Sequence, residues 1–188
     1  MRAETEKIIR AVKEGASLDQ VDPDVLDVNS RRGRQRKTEE VVKRLQHVDA
    51  LIWDDFLVLS AGEQSIVLYY VCLKTYRLMF DFHMDVVLPR WQAMDRTLEP
   101  HDARRFLERR ADVHPEIDTW SESTWEKIRQ VLLKMMTEAG LLRDGIIVAP
   151  TTESRVWDRF VRAGDLWFLE AALLNEHRRE AITRDVLS

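Results

Sequence analysis

The apolar residues Trp125, Ile128, Val131, Leu132, Met135 and Ala139 return every three to four positions, and Gly140 ends the run. This spacing lines one face of an amphipathic helix. Ser121 or Ser123 stands where a helix cap belongs. Immediately afterwards Leu141-Leu142-Arg143 and Ile146-Ile147-Val148 flank Asp144-Gly145. That dipeptide tolerates positive φ at both positions, so it predicts a tight two-residue β-hairpin, closed by Pro150. A helix that runs straight into a two-stranded ribbon fits a winged helix. It also fits an ordinary helix–hairpin packing unit.

The rest of the chain reads as helix. Ile8, Ile9 and Val12 share a face from about Thr5 to Glu14, and Gly15 is a natural stop. Ser17 is placed to cap a short helix through Val21, with Asp22-Pro23-Asp24 as a break or a new helix start. Val41, Val42, Leu45 and Val48 predict a helix from about Arg36 to Val48, preceded by a cationic linker. An apolar stretch with Trp53 and Phe56 follows. From Glu63 to Val87 the apolar positions nearly encircle one long helix, the mark of a buried central element. Pro89 and Pro100 bracket a short segment, and helices follow at His101 to Asp112, Glu153 to Arg162 and Asp165 to His177. The expected fold class is all-α with one small β-hairpin, a helical bundle with helix-turn-helix or winged-helix-like elements. A soft boundary near Thr97 to Pro100 divides an N-terminal helical domain (1–99) with a helix-turn-helix-like segment from a C-terminal winged-helix-like domain (100–188).

Composition narrows the function classes. With 188 residues, 45% of them hydrophobic, and only 6 Gly and 5 Pro, the chain can bury a real core. Its single cysteine, Cys72, makes no internal disulfide and reads as a core residue suited to a reducing cytoplasm. The first residues are charged, which argues against a secretory leader. The longest apolar stretch, Ile66 to Leu73, is far short of the ~20 residues that span a bilayer. No membrane partner and a cytoplasmic location are therefore expected.

Catalytic signals are missing. There is no phosphate loop, dinucleotide turn, nucleophile elbow or zincin motif. Asp81, His83 and Asp85 suggest a metal site only weakly, because on a helix the two aspartates share a face and His83 points elsewhere. Asp54 and Asp55 diverge on a helix for the same reason. His47, His101, His114 and His177 show no ligand spacing, and most of the six tryptophans read as core. The expectation is a non-catalytic protein without cofactor or metal.

Two cationic features remain. Net charge is −4, from 29 basic and 33 acidic residues, so any nucleic-acid contact must use local patches. The first patch is Arg31, Arg32, Arg34, Arg36 and Lys37, followed on the next helix by Lys43 and Arg44. A charge run is often only solvated chain. The order helix, turn, short helix, linker, basic helix is nevertheless compatible with a helix-turn-helix whose cations meet phosphates. The second patch is Lys127, Gln130 and Lys134, on the face of their helix opposite the apolar stripe, with Arg143 near the wing. Winged domains dock proteins as well as duplexes.

The segment from Glu122 to Leu142 resembles the signature stretch of the BrxA family, small components of BREX phage-exclusion islands. The likeness extends through Glu6 to Gly15, Tyr76 to Phe82, Phe106 to Ala111 and the final helices. Pro23 and the density of arginine after Ser30 depart from the family pattern. The resemblance implies a helical protein with helix-turn-helix character that binds double-stranded DNA beside other BREX proteins. The alternative is an adaptor that docks on those proteins through the same helices. Related proteins have also been labelled inner-membrane proteins, a label for which this sequence offers no span.

Overall fold

The computed structural model describes residues 2–152 and 155–188. It is mostly helical, with one small antiparallel sheet of two strands. α1 (Arg2–Lys13) packs on α2 (Arg31–Gln46), and both lie against α3 (Ala61–Thr75). Tyr69 to Leu73 of α3 are buried without interruption, as the encircling apolar pattern requires. Ser60 and Glu63 cap α3 reciprocally. Between α1 and α2 the chain makes only single 3-10 turns, Leu18–Gln20 and Pro23–Val25, and Ser17 forms no side-chain cap. The short helix expected there is not formed. Asp22 instead accepts from the Asp24 amide and turns the chain at Pro23.

The long helix expected up to Val87 is divided. Tyr76 takes an extended backbone (φ −117°, ψ 105°) between α3 and α4 (Arg77–Phe82). Its hydroxyl accepts from Arg44 Nε (2.7 Å). A single π turn, His83–Val87, then leads into α5 (Leu88–Gln92). Pro89 lacks an N–H and its ring crowds the carbonyl four residues back, so a locally wider turn lets the helix continue past it. The apolar pattern runs only to Val87, whereas helix continues through Pro89 to Gln92.

The C-terminal half begins with α6 (Pro100–Ala111) packed on α7 (Glu122–Glu138). Ser121 caps α7 by accepting from the Thr124 amide, and Gly140, at φ 74°, ends it. β1 (Leu142–Arg143) and β2 (Ile146–Ile147) pair in the register Leu142 with Ile147 and Arg143 with Ile146. Asp144 and Gly145 have φ of 50° and 76°, so the expected hairpin turn is present. A further segment joins its edge. Thr97 bridges to Ile146, Leu98 N–H donates to Gly145 O (2.8 Å), and Ile147 N–H donates to Arg96 O (2.7 Å).

A β-branched residue resists positive φ, and Gly145 sits at φ 76°. Gly145→Val should therefore cost about 1–2 kcal/mol. A urea unfolding midpoint equal to the parent's would refute this.

α8 (Arg155–Arg162) follows; Glu153, where its start was expected, lies outside the described residues. The single helix expected over Asp165 to His177 is instead α9 (Trp167–Ala171) and α10 (Glu176–Leu187), separated by Leu173 at φ 63°. Asn175 caps α10 by accepting from the Arg178 amide (2.9 Å). Tyr70 of α3 meets Phe160 of α8 and Phe168 of α9 at ring-centroid distances of 4.9 and 5.0 Å, joining the two halves around one aromatic cluster. Among the described residues no helix is long and apolar enough to cross a membrane.

Candidate nucleic-acid interface

The cationic run is not a linker. It forms the first two turns of α2, whose cap is Ser30, accepting from the Gly33 amide (3.0 Å). Cations oppose the helix dipole at this end. Two of them are neutralised across the fold. Arg34 pairs with Asp24 (2.8 Å) and donates to the Val28 carbonyl. Lys37 pairs with Glu4 (2.5 Å), whose carboxyl it holds down at about 2. Arg31, Arg32 and Arg36 stay exposed with no ion pair among the described residues. Farther along, Lys43 and Arg44 lie over the Tyr76 ring, at 5.5 and 5.2 Å, and Arg44 also bonds Glu40. The seven expected cations thus divide: Arg34, Lys37 and Arg44 hold the fold, Lys43 lies over the Tyr76 ring, and Arg31, Arg32 and Arg36 can meet an external anion.

On α7, Ser123, Lys127, Gln130, Lys134 and Thr137 are all exposed and share one stripe. Lys127 has no ion-pair partner among the described residues; Lys134 lies 3.6 Å from Glu138. Arg143, on β1, is exposed at the hairpin. Sequence reasoning missed Arg105 and Arg109, which α6 leaves exposed and unpaired among the described residues. Their four-residue spacing on a helix was the available signal. Neighbouring arginines are spoken for: Arg104 pairs with Glu108 and Glu122, and Arg110 with Asp81 and Asp85.

A groove of about 600 Å³ lies between the Arg44 end of α2 and the C-terminal end of α7, bordered by Arg44, Lys134 and Glu138, with Leu68 and Cys72 of α3 among its other lining residues. Arg32 lies roughly 18 Å from Arg44 along α2, given a rise of about 1.5 Å per residue. The free arginines therefore lie toward the N-terminal end of α2, and Arg44 toward the end that reaches the groove.

Of the other titratable groups singled out in the sequence, Cys72, Asp81 and His83 are buried, while Asp54, Asp55 and Asp85 are exposed. Burial pushes the Cys72 thiol up to about 11 and the His83 imidazole down to about 4. His83 Nδ1 sits 2.7 Å from the Tyr69 hydroxyl, and burial also raises that phenol. Asp81 and Asp85 do share a face, where Arg110 bridges them. Among the described residues no cluster of three or more His, Cys, Asp or Glu is arranged to hold a metal ion.

The family profile for BrxA matches residues 1–161, which include α2, α7 and the hairpin. A protein described as BREX protein BrxA, from Bacillus cereus (strain H3081.97), is 27% identical over 130 residues. The match covers 66% of this chain and 62% of that relative, so the chain spans less than two thirds of the relative's length.

Proposed function

The chain belongs to the BrxA family, and from that premise we propose that it serves a BREX-type phage-defence system as a non-catalytic accessory that binds double-stranded DNA, with α7 laid against the duplex. One observation carries this reading: the order of elements around α7. α5, the Arg96–Leu98 segment, α6, α7, β1 and β2 follow one another, and Thr97 pairs with β2. With the bridged segment in the place of a first strand, this sequence of elements parallels the order of a winged helix. In it the third helix faces the major groove and the hairpin lies beside it. Lys127 and Lys134 then meet phosphates, Gln130 reaches a base edge, and Arg143 lies at the wing. Arg31, Arg32 and Arg36 form a second, sequence-independent phosphate contact.

Each phosphate contact removed lowers the slope of log K against log salt by about 0.9. Lys127→Ala/Lys134→Ala should therefore flatten that slope by about 1.8, and Arg31→Ala/Arg32→Ala/Arg36→Ala by as much as about 2.7. Anisotropy titrations of a labelled duplex at several salt concentrations measure both. A parent chain that fails to bind duplex at low salt removes the DNA reading altogether. A variant that binds as tightly as the parent at every salt removes its own surface from the interface.

The adaptor reading has its own observation. An open groove of about 780 Å³ runs along α10 between Leu166 and Leu187, which are 45% and 69% exposed. Docking another BREX protein on that edge, where Leu166, Leu169 and Leu187 stand among Glu176, Arg179, Glu180 and Arg184, would depend less on salt than phosphate binding does.

A further inference from the structure

Gln130 does not stand free on the exposed stripe of α7. Its Nε2 donates to Glu126 Oε1 (2.7 Å), one turn earlier. Glu126 is itself gripped by Arg129, whose Nε donates to Oε2 (2.9 Å) and whose Nη2 donates to Oε1 (2.5 Å). The Arg129 guanidinium is half-buried, so the fork has a fixed base. The hydrogen bonds from Arg129 and Gln130 hold the Glu126 carboxyl below its ordinary range, and it stays ionised at neutral pH.

An ionised carboxylate only accepts hydrogen bonds. Glu126 therefore dictates which end of the Gln130 amide turns toward it: the nitrogen, never the oxygen. One of the two amide hydrogens is consumed, leaving one N–H and the carbonyl oxygen. Adenine presents one acceptor, N7, and one donor, the N6 amine, at its major-groove edge. Guanine presents two acceptors, N7 and O6, and would leave the Gln130 carbonyl facing an acceptor.

We propose that Glu126 is a positioning residue that fixes the Gln130 amide, so that the chain favours adenine at the base Gln130 meets in duplex DNA. The proposal rests on the reading of α7 as the groove-facing helix. It makes base preference a property of three side chains, Arg129, Glu126 and Gln130, of which only the last touches DNA.

Selection from a randomised duplex pool with the parent chain, followed by titration of the enriched duplex with A or G at the selected position, tests it. The parent should favour A by about tenfold. Gln130→Ala should lose that preference without changing the salt slope, because the side chain is neutral. Glu126→Ala should lose the preference equally. It should also bind all duplexes somewhat more tightly, because a negative charge has left the interface. Glu126→Gln, which keeps an acceptor for the Gln130 amide, should retain part of the preference. The double variant Glu126→Ala/Gln130→Ala should discriminate no worse than either single change. If the parent binds duplex but enriches no adenine, or if Glu126→Ala discriminates as well as the parent, the positioning role is wrong and the DNA reading stands. If the parent binds no duplex at all, both fall.

Discussion

Asp55→Ala should lower unfolding stability by about 3 kcal/mol, the low end for breaking a buried pair by removing one partner. The reason lies at Arg159. Its side chain is only 7% exposed, and its guanidinium grips Asp55 through Nη1 (2.7 Å) and Nη2 (3.2 Å). Nη1 also donates to the Ile52 carbonyl (3.1 Å) and Nε to the Val156 carbonyl (3.0 Å). Removing the carboxylate leaves a buried cation with carbonyl dipoles and no counter-charge. Asp55 itself is 56% exposed, so solvent already weakens the attraction, which places the loss at the low end of the range. Arg159→Met in the Asp55→Ala background should recover about half of the loss, since an apolar side chain of similar length needs no partner. Urea unfolding of the parent, Asp55→Ala, Arg159→Met and the double variant closes the cycle. A loss below about 1 kcal/mol for Asp55→Ala would mean that the pair behaves as a surface contact.

Acid should destabilise the fold through His83 well before most carboxylates titrate. The imidazole is fully buried and pushed down to about 4, chiefly by desolvation; a backbone hydrogen bond at Ala171 opposes this in part. Unfolded histidine titrates near 6.5, so between about 6.5 and 4 the unfolded chain binds a proton that the folded chain refuses. Stability from this group is complete above about pH 6.5 and falls as pH drops, by up to about 1.4 kcal/mol per unit and about 3 kcal/mol in all. His83→Gln keeps a polar partner for the Tyr69 hydroxyl and cannot titrate. Its stability should be flatter than the parent's across this window. Equal slopes for the two proteins would show that His83 gains its proton without unfolding. Glu4 acts lower: its depressed carboxyl contributes stability that is lost only as pH falls from about 4.5 toward 2.

What the sequence determined by itself was everything governed by near neighbours. The apolar stripe and serine cap of α7, the Asp144-Gly145 turn, and the buried encirclement of α3 each follow from residues within a few positions of one another. The order and spacing of those segments was also enough for the family likeness, which the BrxA profile bears out. Tertiary structure decided what depends on distant groups. The arginine-rich run reads locally as a solvated linker; it becomes helix where Glu4, 33 residues before Lys37, and Asp24 take up Lys37 and Arg34. The break at Tyr76 goes with a hydrogen bond from Arg44, 32 residues away, which no local pattern encodes. The third segment of the β patch depends on Thr97 meeting Ile146, an isolated pairing with no alternation to announce it. Charge patterning therefore located the candidate surfaces, but long-range ion pairs decided which cations remained free. An ion pair is made by proximity in space, and the local periodicities of a sequence do not record it.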